Sequence, residues 1–245
     1  MADWDILTGL GVSDFATIGI SAIALVAAVI ANVSASASKA NENRVQARNT
    51  VNSLCVKIAE LSTQIQVYRV EQKGTTDLTL YNTRVNATVR QVVALATLAR
   101  DVLAKSGIKA AAVEYALIAD AIAMSGDPSA EIMWTQAVAA ARTRHDRIDL
   151  MQRFAEYLYT VGNTERGAVA YRDARAAMAG EATPFEIGRN LHMEAVASAN
   201  AGQAGAARPL FDEARGYYQQ MPEGATRTYA LNSLESALKS ALPDS

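Results

Sequence analysis

A long run without charge sets the first constraint on this chain. From Phe15 to Ser38 there is no Asp, Glu, Lys or Arg, and the apolar centre, Phe15 to Val33, is 19 residues long. As a helix that centre spans ~28 Å, close to the ~30 Å of a bilayer's hydrocarbon layer. Helices buried in soluble proteins seldom stay uncharged for so long, so the sequence predicts one transmembrane helix over 15–35, behind an extracytoplasmic tail over 1–14. Ala35-Ser36-Ala37 has the form of a signal-peptide cleavage site, but a secretory leader opens with a short positive segment. Here the first 14 residues hold Asp3, Asp5 and Asp14 and no Lys or Arg, which favours an anchor.

Charge orients the anchor. The leading flank carries -3, whereas residues 39–73 carry six basic side chains against Glu42, Glu60 and Glu71. The more basic flank stays in the cytoplasm. The expectation is a single-pass protein of the cell membrane, N-terminus outside and C-terminal domain cytoplasmic, touching the lipid bilayer through residues 15–35. The lone cysteine, Cys55, excludes an intramolecular disulfide and a multi-cysteine zinc site.

Behind the anchor lies a heptad. Val51, Leu54, Ile58, Leu61, Ile65 and Tyr68 step by three and four residues, with branched side chains at one position and mostly Leu at the other, the pattern of a parallel two-stranded coiled coil. The same phase runs back through Val33, Ile30, Val26 and Ile23, and no Gly or Pro interrupts residues 20–73. We therefore expect a coiled-coil rod over 36–73 that could hold the C-terminal helices up to ~50 Å off the membrane. Its apolar face either pairs two chains as a homodimer or packs on the chain's own later helices. Small residues at Thr17, Ser21, Ala24, Ala28 and Ala31 suit close approach of two spanning helices. Cys55 falls beside the seam, as a surface thiol or a crosslinking point.

Residues 74–245 read as consecutive amphipathic helices. Apolar residues from Tyr81 to Leu103 recur at three and four. Further helices run over roughly 109–124, 129–143, 147–161, 164–179, 184–201, 204–219 and 225–241, separated by Gly126-Asp127-Pro128, Gly162-Asn163, Gly180, Gly202 and Pro222. Thr183-Pro184-Phe185-Glu186 is a capping box with Pro at the first helical position. Apolar residues make up 50% of the chain but aromatics only 6%, and no β-branched run alternates with polar residues, so the fold class is all-α.

Three triplets share one spacing: Ala130/Trp134/Ala137, Gly167/Tyr171/Ala174 and Ala207/Phe211/Ala214, offset by 37 and 40 residues. Ala155 and Ala195 each precede the later two by 12. This small-x3-aromatic-x2-Ala pattern resembles the tetratricopeptide repeats, clearest over 109–219, although the family's period is ~34 and its closing proline is missing here. The resemblance implies a right-handed solenoid of antiparallel helix pairs whose concave groove binds peptides or protein surfaces. By the same resemblance the groove is lined by Asp149, Gln152, Glu156 and Tyr159 in one pair and by Arg189, His192, Val196 and Asn200 in the next. It lacks the Lys/Arg cluster that clamps a terminal carboxylate.

Chemistry is not legible. His145 and His192 are 47 residues apart without a nearby cysteine, so no metal site is expected. Residues 142–147 read as a helix-to-helix linker. No phosphate loop or nucleophile elbow occurs, and Cys55 has no positioned His. With 23 basic against 25 acidic residues, a nucleic-acid partner is not expected. No catalytic, cofactor-binding or metal residue is assigned, and the chain is not read as an enzyme. The leading expectation is a membrane-anchored protein–protein interaction scaffold or adaptor with a cytoplasmic groove, its protein or peptide partner unidentified. The alternative is a self-oligomerising structural subunit of a membrane assembly, with a helical enzyme a distant third.

Overall fold

Runs rich in Ala, Leu and Arg, broken by glycine-centred turns, give nine helices and no strand among the residues that the computed structural model describes, 40–71 and 78–242. They are α1 (Ala40–Glu71), α2 (Leu78–Ser106), α3 (Ala112–Ala123), α4 (Ser129–Ala140), α5 (Arg144–Thr160), α6 (Thr164–Met178), α7 (Pro184–Asn200), α8 (Ala204–Gln219) and α9 (Ala225–Ala241). The expected tail, the span over 15–35 and the rod's first residues lie outside the described residues. Among the described ones no helix is long and apolar enough to cross a membrane.

The helices pack chiefly as adjacent pairs, α1 with α2, α3 with α4, α5 with α6 and α7 with α8, while α9 lies on α8 and α7. First helices also meet across pairs: α1 with α3, α5 with α7, and α7 with α9. The turns inside two of the pairs are alike. After α5, Asn163 N donates to Leu158 O at 2.8 Å around Gly162 at φ +81°. After α7, Gln203 N donates to Ser198 O at 2.9 Å around Gly202 at φ +78°. A left-handed residue one step past the helix lets the chain satisfy its last carbonyls and reverse, and glycine adopts that conformation without a Cβ clash.

The heptad face of α1 points into its own chain. Val51, Ile58, Leu61 and Ile65 are buried in one cluster with Val92, Ala96, Ala99 and Leu103 of α2. Leu54 packs at the edge of that cluster and Tyr68 is half-buried. Arg48 adds a tie to α3, donating to Glu114 Oε1 at 2.9 Å and to Lys109 O at 3.2 Å. The seam expected between two chains is therefore filled within one, and α1 is an arm of the array rather than a free spacer. A heptad specifies that a partner helix is needed but not which one. The apolar stripe of α2 comes after a short joint, so its effective concentration far exceeds that of a second chain.

Cys55 is buried in the same cluster and is not a surface thiol. Burial pushes the thiol up to about 11 from an ordinary 9.0, with Glu114 adding to the rise against Arg48. At pH 8 its thiolate fraction is thus ~100-fold below that of an exposed cysteine. Alkylation of the native full-length chain is expected to slow by about that factor and to complete rapidly once the chain is unfolded, as intact-mass measurement would show.

Local signals account for most helix starts. Thr183 Oγ1 accepts from Glu186 N at 3.3 Å while Thr183 N donates to Glu186 Oε2 at 2.8 Å, with Pro184 in the first turn, as the capping box required. Two starts differ from expectation by three residues, and α4 ends at Ala140, three residues before the expected 143. Helix α3 begins at Ala112 because Ala111 is extended and its N–H is taken by Glu114 Oε2 at 2.6 Å. Helix α5 begins at Arg144 because Thr143 Oγ1 accepts from Asp146 N at 3.0 Å. Most of the presumed linker over 142–147 is consequently the first turn of α5. There Arg144 pairs with Glu181 and donates to Ala177 O at 2.6 Å, fastening α5 to the end of α6.

The three triplets are buried throughout, as are Ala155 and Ala195. Gly167 marks the crossing of α5 and α6: a Cβ there would sit 2.6 Å from Tyr159 Cδ2 and 3.2 Å from Ala155 O. Gly188 does the same for α7 and α8 against Tyr218 and Ala214 O. Gly216, inside α8, has nothing within 4 Å of its position for a Cβ. Gly167→Ala is expected to destabilise by about 1–3 kcal/mol through overpacking. Gly216→Ala should stabilise by about 0.5–1 kcal/mol through helix propensity. Denaturant titration of both variants checks the opposite signs.

Candidate binding groove

The last turns of α5 and α7 stand apart over a cavity of ≈ 520 Å³. Glu156, Tyr159 and Thr160 form one wall, and His192, Met193, Val196 and Asn200 the other, with Tyr171 of α6 also lining it. Five residues singled out from sequence, Glu156, Tyr159, His192, Val196 and Asn200, come together here. Three do not. Gln152 is only 4% exposed, taken into the packing of α5, so a charge placed there would test folding and not capture. Asp149 lies a turn further back, its carboxylate 3.6 Å from His145 Nε2. Arg189 is exposed and outside the cavity. The causes differ: packing covers Gln152, whereas Asp149 and Arg189 stay at the surface earlier on their helices, and the cavity is lined from the later turns.

A second depression of ≈ 660 Å³ adjoins the first, sharing Val196 and Asn200 and running onto Tyr229, Asn232, Ser233 and Ser236 of α9. None of these α9 residues was among the groove positions expected from sequence. The available signal was one face of α9 carrying Asn232, Ser233, Ser236 and Ser240 without charge. Tyr229, 74% exposed, stands beside it.

Beneath the α7 wall lies a buried polar layer. Arg175 of α6 donates to Asn190 Oδ1 at 2.7 Å and pairs with Glu194. Asn190 is fully buried, and its Nδ2 has no hydrogen-bond partner. Burial raises the Glu194 carboxyl above its ordinary range even though Arg175 pulls it down. The Tyr159 hydroxyl is raised by burial and by Glu194, and shares a hydrogen bond with Ser198 that acts the other way. Tyr171 is raised further, by burial and then by Glu156 and Glu194. His192 is lowered by burial, packed 6.0 Å from the Phe211 ring and 6.4 Å from Tyr218. At neutral pH the tyrosines and His192 are thus uncharged donors and acceptors on apolar bodies.

Glu156 is the charged exception. It is exposed, and no Lys, Arg or His among the described residues lies within ion-pair distance of it. The nearby Arg153 is already paired with Asp120 and lies 5.2 Å over the Trp134 ring. Burial raises the Asp120 carboxyl, and Glu156 adds to that rise. Among the described residues no three His, Cys, Asp or Glu side chains are placed to hold a metal ion.

No family model matches this chain, nor does any curated protein or solved structure. The groove itself is therefore the guide to function.

Proposed function

We propose that this chain is a membrane-tethered protein-binding module. In this reading the span over 15–35 anchors it with the array on the cytoplasmic side. The array is a helix-pair solenoid of the tetratricopeptide kind, and the trough between α5 and α7 holds a segment of a partner protein. The observation that carries the reading is the open cavity between two first helices, lined by apolar and neutral polar side chains and one carboxylate, Glu156, on regular, well-packed elements. The matching turns and buried triplets of α5–α6 and α7–α8 support the solenoid. Tethering would raise the local concentration of the partner without tighter contacts.

A photo-crosslinking residue at Val196 or Asn200 of the full-length protein in cells should capture one set of proteins. The same residue at Val169, exposed on α6 outside the groove, should not. Identical products from both sites, or none from the groove sites, would overturn the assignment.

A second reading, a self-associating structural subunit, is favoured by one feature. The side of α1 facing away from α2 exposes Val45, Val56, Val67 and Val70. If this face joins two copies, Val56→Cys in a Cys55→Ser background should form a disulfide-linked dimer in membranes. A Lys57→Cys control should form it far less.

A further inference from the structure

The two depressions form one trough across α5, α7 and α9, because Val196 and Asn200 line both. Neighbouring helices stand about 8–10 Å apart, so three in a row span roughly 18 Å. An extended chain covers that in about five or six residues. The trough is chemically uneven along this path. At the α5 end it presents the Glu156 carboxylate without a cation of its own, with Asp120 close enough to sense it. In the middle it offers Met193, Val196 and the half-buried His192 ring. At the α9 end it presents Tyr229, Asn232, Ser233, Ser236 and Ser240, none of them charged.

From this gradient we infer that the trough's ligand is an extended polypeptide segment of about six residues with a Lys or Arg side chain at Glu156, an apolar residue over Met193 and Val196, and an uncharged polar stretch across α9. This deepens the function proposed above and rests on it.

Several features converge on that occupant. The exposed Glu156 carboxylate, with no cation of its own, attracts a basic side chain brought beside it. An acidic segment would meet Glu156 with no Lys or Arg in the lining to offset it. Side-chain amides and hydroxyls on α9 can serve the backbone N–H and C=O groups that an extended ligand leaves unpaired. A helical ligand would have those groups already satisfied and would make no use of them.

The test uses purified full-length protein in nanodiscs and a phage-displayed library of random octapeptides. The expected result is enrichment of peptides with one basic position flanked by uncharged residues. With Glu156→Lys that position should invert to Asp or Glu. With Glu156→Gln, binding of an enriched peptide should weaken roughly three- to tenfold and lose its salt dependence. Ser236→Arg should weaken octapeptides but not tetrapeptides cut to the basic end.

Enrichment without a basic preference, unchanged by Glu156→Lys yet lost with Val196→Trp or Asn200→Arg, would overturn this inference and leave the groove reading standing. No enrichment above that obtained with Asn200→Arg would overturn both. Matching far-ultraviolet circular dichroism for every variant excludes unfolding as the cause.

Discussion

Arg175→Met is expected to destabilise the chain by about 3–5 kcal/mol at neutral pH, the usual effect of leaving a buried carboxylate without its cation. The Glu194 side chain is only 5% exposed, and Arg175 is its ion-pair partner. Burial already holds this carboxyl above its ordinary range, and losing the guanidinium removes what pulled it down. The folded-state value lies above the unfolded one, so the penalty belongs to the ionised form and is relieved as pH falls through the folded value. The gap between variant and parent should narrow on acidification. Arg175→Met combined with Glu194→Gln should recover most of the loss. What remains is Asn190, whose Oδ1 would lose its donor while Nδ2 is already without a partner. Urea titrations at several pH values would measure all of this. A variant within about 1 kcal/mol of the parent across the range would show that the pair contributes little.

Phe211→Ala should cost about 3–5 kcal/mol, the range for removing a buried aromatic ring. Phe211 is fully buried between α7 and α8 in a cluster with Leu191, Ala195, Ala207 and Ala214. Its neighbours include alanines on helices already in close contact, so they have little reach with which to fill the vacated space. The ring also packs against His192 on the groove wall. The loss should therefore appear twice: as a lower denaturation midpoint, and as faster hydrogen exchange in the last turns of α7. Phe211→Leu, which keeps most of the volume, should cost only about 1 kcal/mol. Equal costs for the two variants would mean that the site collapses freely.

Much of the architecture was legible because its causes are local. The glycines after α5 and α7, the Thr183 box and the three-four periodicities act within a few residues, and they placed the helices to within a few positions. The aromatic triplets were legible for a related reason. A ring with a small residue four before and three after it is a wedge between close helices wherever it stands, and Trp134, Tyr171 and Phe211 all proved to be buried wedges. The two misplaced starts, at Ala112 and Arg144, depend on single caps that the periodicity overrode.

What tertiary structure alone decided was the partner of each face. The heptad of α1 determined that a helix must cover Val51, Ile58 and Ile65, but an apolar stripe carries no address, and α2 of the same chain occupies it. The same limit explains the groove. Spacing placed Asp149, Gln152 and Glu156 on one side of α5, yet the neighbouring helices bury Gln152 and leave Glu156 at an open wall. Periodicity determines which side of a helix turns inward. Which positions on that side are covered depends on where neighbouring helices cross, at close contacts such as Gly167 and Gly188, and only the packed array sets those.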